Sequence, residues 1–442
     1  MVCPMNVNVK RDGRSGRGGR RVLSARALAA DVLTRIEVEP ETRASELLAS
    51  GLEAMGDPRE RGLATELVYG VLRWRRRIDT SLSPFLQRGL GGVEPMARAL
   101  LRIGAYQIRR LDRIPGEIAV SATQDAAREL GAGRLTGLLN AVLRKVVSTP
   151  EVIPEGPGIE AVGQRVSLPD WIVSELKTAY QERAEAEGAA LRERASVTLR
   201  ATLGRGGRDR VKAALGEEGF EVSDGPHGTL VLSQGDPFGT RAFEEGLFVA
   251  QDPASLAVVD VLEEALGGLR GKRVLDLCAG RGVKTTAMLD RGARVVAVDI
   301  GPRKLDELVR VARRLGVEGG LERVVPMDAG DSSGLEGLGS FDAVLIDAPC
   351  TGVGTIRRHP ELAWRRQAKD VDALVTLQQR LVVAGAQRVA AKGVLVYAVC
   401  SFVAREGRIS LASEFEHLRS IATPPSSGLD AFQAEVYRRR AT

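Results

Sequence analysis

Apolar positions along this chain change period as it proceeds. From residue 22 to 147 they recur at helical spacing, as in Leu23, Ala27, Leu28, Val32 and Leu33. The same rhythm runs through ATELVYGVLRWRRRID, MARALLRIGAYQIRRL and LTGLLNAVLRKVV, with Gly and Pro between the runs. This pattern predicts an all-helical bundle. Residues 148–168, STPEVIPEGPGIEAVGQRVSL, carry the Pro and Gly of a linker. A helical stretch from Pro169 to about Glu193, then SVTLRATL, a helix near Arg208–Glu218 and strand-like TLVLS, suggest a small α+β unit over 169–247.

From about Phe248 helix and strand alternate. Short apolar runs at Arg273–Leu277, Arg294–Val298, Arg323–Pro326, Ala343–Ile346 and Val394–Tyr397 read as strands. Helical patterns fall at Val258–Leu266, from Lys284 on, at Arg303–Leu315 and at Ala373–Ala391. Such alternation predicts a parallel, doubly wound α/β sheet over 248–442. Ligands of such sheets sit in a crevice beyond the carboxyl ends of the strands. The residues just past those ends are therefore the ones to read for chemistry.

Past the first of these strands comes the turn of VLDLCAGRGVKTT, with Gly280 and Gly282. Glycines there let a ligand approach the backbone and leave helix N–H groups free. Val283 before Lys284 excludes a Walker loop, and Thr285 stands where a dinucleotide fingerprint needs a third small residue. An S-adenosylmethionine turn fits best. Asp299 ends the next strand, where a carboxylate can accept from ribose hydroxyls, and Asp328 ends the following one, where it can accept from an adenine amino group. Strand-end Asp residues also cap helices, but two of them after a glycine turn favour the site.

Two thiols follow the later strands: Cys350 in IDAPCTG and Cys400 in VYAVCS. A nucleotide-like cofactor together with two thiols suggests alkylation of a pyrimidine carbon. Carbon 5 of cytosine is a poor nucleophile until a thiolate adds at C6. Asp347, three residues before Cys350, can hydrogen-bond the base edge. The residues alone leave open which thiol attacks. Cys278 reads as a small buried residue of the turn, and Cys3 lies in the tail.

Composition narrows the partners. A net charge of +6 admits an anionic partner, and clustering makes that concrete. Lys10, Arg11, Arg14, Arg17, Arg20 and Arg21 lie among glycines in a basic arm over 1–21. Arg73, Arg75, Arg76 and Arg77 surround Trp74, and Arg357 and Arg358 follow the first thiol. Aromatics are only 4%, so RNA would be held through phosphates and shape rather than base stacking. No apolar run spans a bilayer, and four cysteines form no disulfide framework. His227, His359 and His417 have no zinc spacing. The expectation is a cytoplasmic monomer without metal or membrane.

VLDLCAGRGVKTT, AVDIGPRKL, DAPCTGVGTIRRHPELAW and VYAVCS occur in the order of the RsmB/Nop/Sun family of RNA cytosine-C5 methyltransferases, which the chain resembles over nearly its whole length, QDPAS at Gln251–Ser255 included. The helical region resembles the NusB-like RNA-binding domain of the bacterial small-subunit rRNA branch, which RRHP at Arg357–Pro360 also favours. The resemblance implies a NusB-like bundle over 22–147, a linker, a small α+β subdomain and a Rossmann-like class I methyltransferase domain. It implies S-adenosylmethionine as cofactor and small-subunit (16S) rRNA as substrate. It makes Cys400 the nucleophile and Cys350 the group that assists release. Cys278, Ala279, Gly280, Arg281, Gly282, Val283 and Lys284, with Asp299, Asp328 and Asp347, would line the cofactor site. Arg73, Arg75, Arg76, Arg357 and Arg358 would meet RNA.

The chain departs from the family pattern in places. Arg281-Gly282-Val283-Lys284 replaces Pro-Gly-Gly-Lys, Val399 replaces a Thr, Gly407 replaces the Asn of Glu-Asn, and DAFQ at Asp430–Gln433 replaces Asp-Gly-Phe-Phe. A non-catalytic RNA-binding or ribosome-assembly factor is the competing reading, and tRNA the competing substrate.

Overall fold

The computed structural model describes residues 22–39 and 42–441. The expected basic arm and Cys3 lie outside them. The chain divides into two compact units, one running to Val71 and resuming over Leu82–Pro150, the other made of Leu72–Ser81 and Glu151 onward.

The first unit is helical, with helices Ala25–Val38, Ala44–Ala54, most of Pro58–Leu82, Pro95–Arg110, Gly116–Glu129 and Thr136–Ser148. Ser24 caps the first by accepting from Ala27 N–H, and Pro95 stands in the first turn of its helix, where no N–H is needed. Leu100, Leu101, Ile103, Leu139 and Leu143 are wholly buried. Gly104 allows close helix contact: a Cβ there would come within 2.4 Å of Leu143.

In the second unit the segment read as a linker contains a helix, Ile159–Val166. Its Pro and Gly flanks masked an amphipathic turn pair whose Val162 and Val166 are buried. A small antiparallel sheet follows, from β1 (Val197–Ala201), β2 (Val222–Asp224), β3 (Leu230–Leu232) and β4 (Phe248–Ala250), in the order β2-β3-β1-β4. It therefore takes in Phe248–Ala250, past the expected edge of the small subdomain at 247.

The large sheet has seven strands: β5 (Arg273–Leu277), β6 (Arg294–Asp299), β7 (Leu321–Pro326), β8 (Phe341–Asp347), β9 (Val389–Val399), β10 (Phe415–Thr423) and β11 (Phe432–Arg439). Their order is β10-β11-β9-β8-β5-β6-β7. β5 to β9 are parallel, while β11 and β10 add antiparallel at one edge, so the sheet is mixed rather than all parallel. The helix expected to reach Ala391 ends at Ala386, and Val389–Ala391 open β9. Alternate residues serve opposite faces. Val274, Ala343, Leu345 and Val394 pack with helix Pro253–Leu266, while Leu275, Val344, Ile346 and Leu395 pack with helix Ala368–Ala386. Among the described residues no helix is long and apolar enough to cross a membrane.

Candidate active site

The strand order reverses between β5 and β8. β5 continues to β6 and β7 on one side, and β8 to β9 on the other. That reversal opens a crevice at the carboxyl ends. The register keeps those ends level: Leu277 pairs with Val298 and Ile346, and Asp347 with Ala398.

The turn after β5 is built from left-handed residues. Cys278, Gly280 and Gly282 have φ of 65°, 57° and 83°. A Cβ on Gly280 would meet only Cys278 O, at 3.9 Å, so the space before it is open. A Cβ on Gly282 would strike Leu308 at 2.4 Å, which makes this glycine a packing requirement of helix Pro302–Leu315. Ala279 N–H joins the turn to Val298 O at 2.9 Å. Val283 opens helix Val283–Asp290, and half-exposed Arg281 pairs with Glu307 at 3.2 Å. Burial pushes the Cys278 thiol well up, with Asp299, Asp347 and Asp276 adding to it, so this cysteine stays a neutral wall residue.

Asp299 lies buried at the end of β6. Its Oδ2 accepts Gly280 N–H at 2.9 Å and its Oδ1 accepts Gly301 N–H at 2.7 Å. It thus ties the glycine turn to the next loop and keeps lone pairs for a ligand. Ile300, beside it, leaves 70% of its surface exposed, an apolar face that the sequence reading missed. Asp328 is half exposed, accepts Gly330 N–H at 2.9 Å and stands 3.7 Å from Arg380.

Lys284 and Asp347 form an ion pair, Nζ to Oδ2 at 2.7 Å, with the lysine nearly buried and the carboxylate one-third exposed. The ammonium also stands 5.0 Å from the centre of the Phe432 ring. Burial pulls the Lys284 pKa down, but Asp347, Cys400 and Asp276 outweigh it, and the net shift is upward. Lys284, expected only as part of the cofactor turn, is thus held by Asp347.

The two thiols meet. Cys350 Sγ and Cys400 Sγ are 3.3 Å apart. Its hydrogen bond to Cys400 and its burial push the Cys350 thiol well above the usual range. Behind them lies a clamp that the sequence reading did not identify. Glu406, fully buried, accepts from Thr351 N–H at 2.7 Å, from Thr351 Oγ1 at 2.6 Å and from Ser401 Oγ at 2.6 Å. Each residue just after a thiol is held by one carboxylate. Tyr397 Oη donates to Glu406 O at 2.6 Å, and Gly354 N–H donates to Cys400 O at 3.1 Å. The available signals were that Thr351 and Ser401 both directly follow a cysteine and that Glu406 keeps the Glu of the family's Glu-Asn pair.

The arginines expected to meet RNA also have partners within the protein. Arg357 is 5% exposed, with its guanidinium 3.4 Å from Arg194 O. Arg358 pairs with Asp252 at 2.5 Å and Asp430 at 3.1 Å, joining three distant segments. Arg76 donates to Leu168 O at 2.6 Å and pairs with Asp170. Arg73 donates to Arg357 O at 3.3 Å, and Arg75 lies over the Trp364 ring at 4.9 Å. Carboxylates, carbonyls and a ring far off in sequence hold these groups.

Asp276 gives a pH-dependent expectation. Burial pushes its carboxyl up to about 7, against the lowering effect of the Thr285 hydroxyl, which donates to it at 2.6 Å. An unfolded Asp titrates near 3.9. The folded chain therefore binds the extra proton between about pH 4 and 7, and its stability falls as pH rises through that window. Asp276→Asn, which cannot ionise, should flatten this fall in urea melts. An unchanged pH slope would contradict the assignment.

The model of a family described as 16S rRNA methyltransferase RsmB/F matches residues 265–423, and that of the NusB family matches residues 23–148. Ribosomal RNA small subunit methyltransferase B of Xanthomonas campestris pv. campestris is 30% identical over 427 residues, 95% of this chain and 93% of that protein. The protein of the same name from Pseudomonas putida is 33% identical over 392 residues, 87% and 86% of the two chains. The solved structure of PH0851 shares the fold, with a TM-score of 0.79 at 19% identity over 94% of this chain and 99% of that one. Likeness that runs through nearly the full length of both chains, over a sheet whose strand ends gather the glycine turn and both thiols, makes this chain a member of the RsmB/F methyltransferase family, with a NusB domain ahead of its Rossmann-like domain.

Proposed function

We propose that the protein methylates C5 of cytosine in RNA, with small-subunit rRNA as its substrate, through a covalent bond between Cys400 and C6. The observation that carries this reading is the 3.3 Å approach of Cys350 and Cys400 past the ends of adjacent strands, next to the Lys284–Asp347 pair. The names of the two relatives, ribosomal RNA small subunit methyltransferase B, support the substrate.

The cofactor is S-adenosylmethionine, which when bound supplies an electrophilic methyl group on a sulfonium. The residues present fit it. Gly280 opens onto free space, Asp299 offers a buried carboxylate for hydroxyls, and Ile300 offers apolar surface beside it. Asp328 is close enough to the surface to accept from an amino group.

The chain's own part follows from its groups. Cys400 Sγ adds to C6, and the C5=C6 electron pair becomes available at C5 for a methyl group. Lys284 can donate to the base edge as negative charge builds at N3 and O2, while Asp347 orients that ammonium and accepts from the exocyclic amine. The C5 proton must then pass to solvent water, the C5–H pair restoring the C5=C6 double bond as the C6–S bond breaks and the sulfur leaves with its own pair. Cys350, hydrogen-bonded to the departing sulfur, assists that elimination. The Glu406 clamp holds both thiol-bearing loops at one separation, so neither drifts during the sequence.

Bisulfite sequencing of small-subunit rRNA from cells with and without the gene tests the reading. It predicts one protected cytosine that disappears with the gene. Identical protection in both strains would refute the substrate, and protection lost from tRNA instead would move the substrate there.

A further inference from the structure

The loop after Cys400 is gripped from a second side. Gln433 stands on β11 opposite Val399, the residue before the thiol. Its Nε2 donates to Ser401 O at 2.8 Å and to Val403 O at 3.2 Å. Ser401 and Val403 are both wholly buried, so their carbonyls need partners from the protein. Val403 O also accepts Glu406 N–H at 3.0 Å and Gly407 N–H at 3.3 Å. The bond to Ser401 is therefore where Gln433 matters most, and Ser401 is also the residue whose hydroxyl holds Glu406.

The carboxamide reaches these carbonyls only because position 407 is small. A Cβ built on Gly407 would come within 2.3 Å of Gln433 Oε1, 2.6 Å of Cδ and 2.9 Å of Nε2. Gly407 is absent from the residues with positive φ, so its backbone conformation does not call for glycine. Its lack of a side chain is what the neighbourhood uses.

We propose that Gln433 is a positioning residue for the Cys400 nucleophile, and that Gly407 and Gln433 form an interlocked pair in which bulk at 407 displaces the carboxamide. The inference rests on the reading of Cys400 as nucleophile. Physically, Gln433 fixes the carbonyl one residue after the thiol, the Glu406 clamp fixes the neighbouring hydroxyl, and Gly354 fixes the carbonyl of Cys400 itself. Three fixed points leave the Cα–Cβ bond of Cys400 one direction.

A double-mutant cycle tests the interlock. Gly407→Ala, Gln433→Ala, the double variant and Gln433→Met, which keeps the length without the donor, are compared with the unaltered full-length protein. Single-turnover methyl transfer at saturating RNA and cofactor, RNA affinity, and the rate of Cys400 alkylation by iodoacetamide, followed by peptide mass spectrometry, are measured for each. Gly407→Ala should slow transfer roughly tenfold with RNA affinity within about twofold, and should add less than about twofold once Gln433 is already Ala. Gln433→Met should reproduce the loss of Gln433→Ala, and every variant that displaces or removes the carboxamide should change the Cys400 alkylation rate. Additive effects, or Gln433→Met at the unaltered rate, would overturn the proposal. If Gly407→Ala does not fold, the Gln433→Met result decides alone. Should the unaltered protein methylate no RNA, the covalent reading fails, while the alkylation rates still report on whether Gln433 positions the thiol.

Discussion

Cys400→Ala is expected to abolish methyl transfer and to leave no covalent RNA complex, while Cys350→Ala is expected to trap one. The two thiols touch at 3.3 Å, so geometry alone treats them alike. Their surroundings do not. The Cys350 thiol is pushed up by its bond to Cys400, by burial and by the nearby Glu406 charge, which keeps it protonated and a poor nucleophile. Without Cys400 the pyrimidine stays unactivated, and product should fall below detection. Without Cys350 addition and transfer can proceed, but release loses its acid–base partner, a contribution of roughly 10²–10⁴-fold. Turnover should then stop after one event, with a nuclease-sensitive slow band on a denaturing gel. An adduct from Cys400→Ala, and none from Cys350→Ala, would reverse the roles.

Asp347→Ala is expected to harm both stability and catalysis, and Lys284→Met chiefly catalysis. The asymmetry comes from burial. Removing Asp347 strands an ammonium whose side chain is 8% exposed, and a buried charge left unpaired costs roughly 3–5 kcal/mol. Removing Lys284 leaves a carboxylate that is 33% exposed and can turn to water. In catalysis the two should converge, each losing roughly 10²–10³-fold, because either change removes a preorganised charge from the base edge. Urea melts and single-turnover rates on the same samples separate the two effects. Equal stability losses would show that the lysine finds another partner.

How much of this was legible in the sequence depended on how local the signal was. Each thiol directly follows an apolar run, and adjacent parallel strands with level ends bring Cys350 and Cys400 together. The glycine turn was legible for the same reason, since one strand, one turn and one helix carry it. Glu406 was not, because its role exists only once the chain returns to Thr351, 55 residues earlier. The partners of Arg357 and Arg358 were hidden for the same reason: Arg194, Asp252 and Asp430 are remote in sequence. β10 escaped notice because its exposed edge is polar, as in Glu416, His417 and Arg419, which blurs the period-two pattern. The departures at 407 and 433 looked like erosion when read singly. In the fold they occupy one space.

The covalent account is tested most directly by locating the bond. RNA trapped on Cys350→Ala can be digested with nuclease and protease, and the modified peptide sequenced by tandem mass spectrometry. The account predicts a methylated cytidine residue attached at Cys400, in the peptide that contains VYAVCS. Attachment at Cys278, or methylated RNA released from Cys400→Ala with no thiol bonded at all, would contradict it.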